Sequence, residues 1–183
     1  MQYCCWMGPA RGGNFLSESI EGVLFDPGQP LDASQYFLIL PEGSGRSAEV
    51  VPMQYRLVLE HLHVNHLRLI IGNAAGGGQA WLWALGHPYF VDALVVIDCL
   101  ATQPPVLAAD QLAAVRTKTV AIVDEDALTR ERLAILEDEI ARLKHGRYVI
   151  VRNDHAGASA GAISMAQQWK TILPELLEVP ENQ

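Results

Sequence analysis

Five short runs of aliphatic and β-branched residues punctuate the chain: YFLIL (36–40), LRLII (67–71), ALVVI (93–97), TVAIV (119–123) and YVIV (148–151). QYCCWM at the start reads as a sixth. In each run the apolar residues are consecutive instead of alternating with polar ones, so both faces of the strand must be covered. Between the runs lie segments with helical spacing, clearest in TRERLAILEDEIARLKHG, where Leu133, Leu136, Ile140 and Leu143 recur three and four residues apart. Gly146 is expected to stop that helix, with Lys144 and His145 suiting its negative end. The stretch GAISMAQQWKTILPELLE reads as a last helix that buries Ile163, Ala166, Trp169 and Leu173, kinked or restarted at Pro174. Strands joined by crossover helices give an α/β fold: a parallel sheet of about six strands with helices on both faces.

Residues 1–183, half of them hydrophobic, suit one domain with one core. The formal charge of −8, with few and scattered basic residues, removes the electrostatic basis for a nucleic-acid partner. Three cysteines, two of them adjacent at Cys4 and Cys5 and the third at Cys99, do not make a disulfide framework and fit a reducing compartment. No apolar stretch approaches the roughly 20 residues of a membrane helix, and no signal-like segment opens the chain. A soluble, cytoplasmic protein without a membrane partner is expected.

In sheets of this kind ligands sit at the carboxyl ends of the strands. The segments that follow the runs are WMGPARGG, PEGSGRS, GNAAGGG, DCLATQPP, DEDALT and RNDHAG. A carboxylate loop and then a histidine loop close that series. The stretch GPARGGNFLSESIEGVLFDPGQPLDAS is long and irregular, and long ordered loops tend to be functional.

The segment IIGNAAGGGQAWLWALGHPYFVDALVVID resembles the nucleophile-elbow region of the α/β-hydrolases, and most of all their homoserine O-acetyltransferase branch. That branch shows a strand, G-G-S-M-G-G, and a helix that begins near Q-A-L-E-W-A. Upstream, FDPGQPLDASQYFLILPEGSGRS is similar to the same branch's proline-glycine, leucine-aspartate and tyrosine-phenylalanine segment. The resemblance covers residues 22–100 well and the remainder loosely. It implies a shortened α/β-hydrolase fold that starts at the family's third strand, with no room for the helical lid between VVIDCLATQPP and RTKTVAIV.

The family's serine falls on Ala74, which has no lone pair with which to attack. Removing a catalytic serine costs about a millionfold in turnover, so hydrolysis through an acyl-enzyme is excluded at this position. Gly72, Gly76 and Gly77 supply the freedom an elbow needs, so its geometry can outlast the serine. The amide of Ala75, with one from the loop at Met7 and Gly8, would then face an oxyanion or carbonyl. The resemblance places the family histidine on His155 and the acid on Asp126, with Asp124 and Asp98 as rivals. A histidine oriented by a carboxylate remains competent as a general base without a serine.

Other features carry plainer readings. His61, His63 and His66 stand at a helix end and turn on the edge away from the site, so no metal is expected. His87 reads as a helix-end residue, Cys99 as packing at a strand end, and Trp81 and Trp83 as core. No cofactor is expected, and the ligand would be a small ester, acyl or carbonyl compound. The strand YFLIL becomes a sheet edge, apolar on both faces, to be covered by the long loop or by another chain in a homodimer or with a protein partner.

Three functional classes fit these residues. The first is a hydrolase-family protein, degenerate as a serine enzyme. The second is a serine-independent His-Asp acid/base enzyme of lyase, cyclase or direct hydrolytic type. The third is a non-catalytic binding protein. An engineered serine-to-alanine exchange in an active hydrolase or acyltransferase would leave the same sequence.

Overall fold

The computed structural model describes residues 2–7, 22–41, 49–102, 107–152 and 161–178. Six strands form its sheet: β1 (Gln2–Met7), β2 (Tyr36–Ile39), β3 (Leu67–Asn73), β4 (Val91–Ile97), β5 (Lys118–Asp124) and β6 (Gly146–Val151). Every pairing is parallel and the spatial order is β2-β1-β3-β4-β5-β6. The expected α/β fold with a parallel sheet is therefore the observed one. Pairing runs past the apolar runs themselves, with Asn73 opposite Ile97 and Leu67 opposite Val91.

The sheet separates two apolar layers. On one face Leu67, Ile70, Leu94, Val96, Ala121 and Val123 pack beneath helices α1 (Val50–Arg56), α2 (Ala75–Gly86), α3 (Ala109–Leu112) and α4 (Arg130–Arg142). On the other, Leu69, Ile71, Val95, Ile97, Val120 and Ile122 meet Leu24 and Leu31 from the segment before β2, and Trp169 and Leu173 from the carboxyl-terminal segment. Successive residues of β3 and β4 thus serve opposite layers, which is why those strands are apolar throughout. Trp81, Trp83 and Trp169 are fully buried, and burying a large side chain of this kind contributes about 2–3 kcal/mol.

The carboxyl-terminal segment is not one helix. It runs as a 3-10 turn (Ala162–Met165), α5 (Ala166–Trp169), a second 3-10 turn (Lys170–Ile172) and α6 (Leu173–Leu177). Trp169 donates its indole N–H to the Ala162 carbonyl at 3.0 Å, and Pro174 has no N–H to continue the ladder, so the segment tightens instead of propagating. Helix α4 likewise ends earlier than Gly146. Leu143 already leaves helical geometry, and Gly146 opens β6, where an added Cβ would stand 2.7 Å from that of Leu143.

Asp32 organises the turn that leads into β2. Its carboxylate accepts the amides of Gly28 and Ser34 at 2.8 Å each, the Ser34 hydroxyl at 2.6 Å and the Gln35 side-chain amide at 3.0 Å. The Ser34 hydroxyl above all, then the two amides, hold this carboxyl well below the usual carboxylate range. Strand β2 forms one edge of the sheet and leaves Phe37 and, just beyond it, Leu40 substantially exposed. Among the described residues no helix is long and apolar enough to cross a membrane.

Candidate functional site

The strand order reverses at β1. From β1 the chain moves outward to β2, then crosses back to lay β3 on the other side. In folds of this kind a ligand crevice is expected at such a reversal, outside the carboxyl ends of β1 and β3, where Met7 pairs in register with Gly72. Ala74 stands at that crevice, at the turn from β3 into α2.

Ala74 has φ 47° and ψ −112°, a left-handed conformation that costs a non-glycine residue about 1–3 kcal/mol. It is held there from both sides, its amide donating to the Ile97 carbonyl at 2.9 Å and its carbonyl accepting the Gly77 amide at 3.0 Å. The glycine spacing expresses the same constraint. A Cβ on Gly72 would lie 2.5 Å from the Gly76 carbonyl oxygen and 2.8 Å from the Ala80 Cβ. One on Gly77 would lie 2.5 Å from the Cys99 Cβ. Helix α2 thus rests on the sheet at a separation that admits only glycine at Gly72 and Gly77. The alanine side chain itself is exposed.

Three carboxylates stand at or just past the ends of β4 and β5. Asp98 adopts φ 52°; its Oδ1 accepts the Asp124 amide at 3.1 Å and its Oδ2 the Ala162 amide at 2.7 Å. Burial raises its pKa above the usual carboxylate value, against the two amide bonds that lower it. Asp124 is buried and its Oδ1 accepts the Asp126 amide at 3.0 Å. Asp126 sits in the 3-10 turn Glu125–Ala127 with its side chain exposed. His155 and Gly8 lie outside the described residues. Met7 and Ala75 are both at the crevice, the one closing β1 and the other opening α2.

Two supports of this edge escaped the sequence reading. Glu139 of α4 is buried, and its carboxylate accepts the amides of Ala101 at 3.0 Å and Thr102 at 2.8 Å, and the Thr102 hydroxyl at closer range, fixing the loop after β4. Its position between Leu136 and Leu143 on the apolar stripe was the available signal. Gln168 of α5 grips the backbone of Arg152 from both sides, accepting its amide at 3.1 Å and donating to its carbonyl at 2.6 Å.

The remaining candidates lie elsewhere. Cys99 packs against Gly77, while Trp83 donates to the buried Gln54 at 2.9 Å. His87 stacks on Tyr55 at 3.9 Å between centroids, and burial lowers its pKa. His66 pairs with Asp92 at 3.0 Å on the amino-terminal edge of the sheet. Among the described residues no group of three histidine, cysteine or acidic side chains is placed to hold a metal. A shallow cavity lined by Lys118, His145, Arg147 and Glu175 lies at the amino-terminal ends of β5 and β6, away from the elbow.

No protein-family model matches the chain. A homoserine O-acetyltransferase of Haemophilus influenzae is 45% identical to it over 47 residues, which make up 26% of this chain and 13% of that one. A homoserine O-succinyltransferase of Magnetococcus marinus is 28% identical over a match covering 39% of this chain and 24% of the other. The chain thus spans no more than a quarter of the length of these curated relatives. Among solved structures, a homoserine O-acetyltransferase from Bacillus anthracis superposes with a TM-score of 0.69 at 11% identity, covering 97% of this chain and 88% of that one. An acetylester hydrolase from Corynebacterium glutamicum gives 0.70 at 11% identity, covering 96% and 86%. At such identities the superpositions speak for architecture alone: the chain has the α/β-hydrolase fold, and a short part of its sequence is similar to homoserine acyltransferases.

Proposed function

We propose that this chain derives from acyl-ester hydrolases and acyltransferases, has lost serine chemistry at the elbow, and retains the crevice as a binding site for a small ester, acyl or carbonyl compound. The conformation of Ala74 carries this reading. A left-handed alanine gains nothing for itself, yet the turn that aims a nucleophile in this fold is kept, with the glycines that make room for it. The Ala75 amide at the start of α2 is the donor this reading gives to an oxyanion, and the register of Met7 with Gly72 brings the end of β1 alongside. Without a hydroxyl at position 74 no acyl-enzyme forms there, and binding is what remains.

His155 with Asp126 as general base is the second reading. Asp124 and Asp98 spend their carboxylates on backbone amides, whereas that of Asp126 is exposed at the same edge. The two readings separate by assay of the chain, Ala74→Ser and His155→Ala against short acyl esters. Turnover that appears only with Ala74→Ser supports the first, and an activity of the unaltered chain lost in His155→Ala supports the second. No turnover in any of the three, with no ester binding, contradicts both. The same reading assigns the apolar edge at Phe37 and Leu40 to a second copy of the chain, so light scattering should give a dimer, and a monomer at high concentration would contradict it.

A further inference from the structure

Asp98 joins three parts of the chain that are remote in sequence. It directly follows β4, receives the amide of Asp124 at the end of β5, and receives the amide of Ala162 at the start of the carboxyl-terminal segment. Both oxygens are engaged, one with each partner. The residue adopts φ 52° to do so, a conformation aspartate tolerates better than most residues. The fit on the far side depends on Gly161, which has φ 70° and whose missing Cβ would stand 2.8 Å from Asp98 Oδ2. Hydrophobic burial holds elements together without fixing their register, whereas two charge-assisted bonds from one carboxylate fix direction and distance.

We propose that Asp98 is the positioning residue of the elbow edge, setting where the loop after β5 and the backbone at Gly161–Ala162 stand relative to the end of β4. This rests on the reading of that edge as an acyl-ligand site. The charged groups that bear on Asp98 are Asp124, which opposes its ionisation, and Arg132, which favours it. Asparagine is the informative replacement. It has the same shape but one acceptor oxygen, and its NH2 would confront the second amide, so Asp98→Asn must release either Asp124 or Ala162. Gly161→Ala attacks the same joint from the other side.

The test uses amide resonances of the full chain and, separately, ester turnover in the Ala74→Ser background. The amide protons of Asp124 and Ala162 should shift together through one shared pH midpoint above the usual carboxylate range, and neither should titrate there in Asp98→Asn. In Ala74→Ser, adding Asp98→Asn or Gly161→Ala should lower kcat about tenfold or more with little change in KM, as misplacement of a site by a fraction of an ångström does. Independent midpoints for the two amides, or an undiminished kcat in both double variants, would overturn the proposal. Should Ala74→Ser show no turnover and the chain bind no ester, the acyl-site reading fails by itself, and the shared titration alone then decides the role of Asp98. The unaltered chain and Gly161→Ala keep the test open if Asp98→Asn does not fold.

Discussion

A methyl group on Gly77 would stand 2.5 Å from the Cβ of Cys99, closer than side-chain carbons approach one another. The helix after the elbow therefore sits with its backbone directly against the Cys99 side chain just past the end of the neighbouring strand, and the elbow cannot move without disturbing that contact. Gly77→Ala should lose about 2 kcal/mol of stability, the scale of an overpacked core, with its midpoint lowered in urea unfolding. An unchanged midpoint would mean that α2 lifts freely.

The left-handed backbone at Ala74 predicts an opposite sign at that position. Ala74→Gly removes the steric cost and adds back part of it as unfolded-chain entropy, for a net gain of about 1 kcal/mol. Ala74→Val places a branched side chain in the same conformation and should lose about 2 kcal/mol or more. Thermal unfolding of the two variants side by side checks both signs.

Glu139 leaves a larger deficit. Replacing it with alanine deprives the amides of Ala101 and Thr102 of their acceptor at a buried position, an expected loss of about 3 kcal/mol. Hydrogen exchange should locate the damage in residues 99–102, away from α4's own ladder. Uniform protection there in Glu139→Ala would show that the carboxylate is dispensable.

His87 makes the fold sensitive to mild acid. Burial lowers its pKa, so the folded chain favours the neutral ring. The stability this gives is complete above the unfolded value near 6.5 and is lost as pH falls from there through the folded value. His87→Phe preserves a ring against Tyr55 and should show a smaller loss of stability as pH falls from about 7.5 to about 5.5, through the free imidazole value of about 6.5. Equal losses in the two proteins would assign the sensitivity to other groups.

Asp32 acts lower on the scale. Its folded pKa is depressed by the Ser34 hydroxyl and the turn amides, so its contribution is present above the unfolded value of about 4 and disappears on further acidification. Asp32→Asn should therefore be less stable than the unaltered chain at neutral pH, and the gap should close in strong acid.

The strands were legible because both their faces are buried, and consecutive apolar residues of β3, β4 and β5 could belong only to a covered sheet. The elbow was legible because close packing leaves a glycine signature, as Gly72 and Gly77 show. The broken helix at residues 162–177 was not, since helical spacing in the sequence cannot reveal that Trp169 captures the Ala162 carbonyl. The acid was the hardest. Order along the chain points to Asp126, whose side chain is exposed, whereas the partly buried Asp98 is the carboxylate bonded to two amides. Those partners lie 26 and 64 residues away, a relationship that only the folded sheet brings together.

Labelling of Ala74→Ser by a serine-directed phosphonate, read by intact mass and peptide mapping, measures most directly whether the elbow still aims a side chain into a competent crevice. The account predicts one adduct per chain, located at position 74, with none on the unaltered protein. An unlabelled Ala74→Ser chain with its fold intact would contradict it.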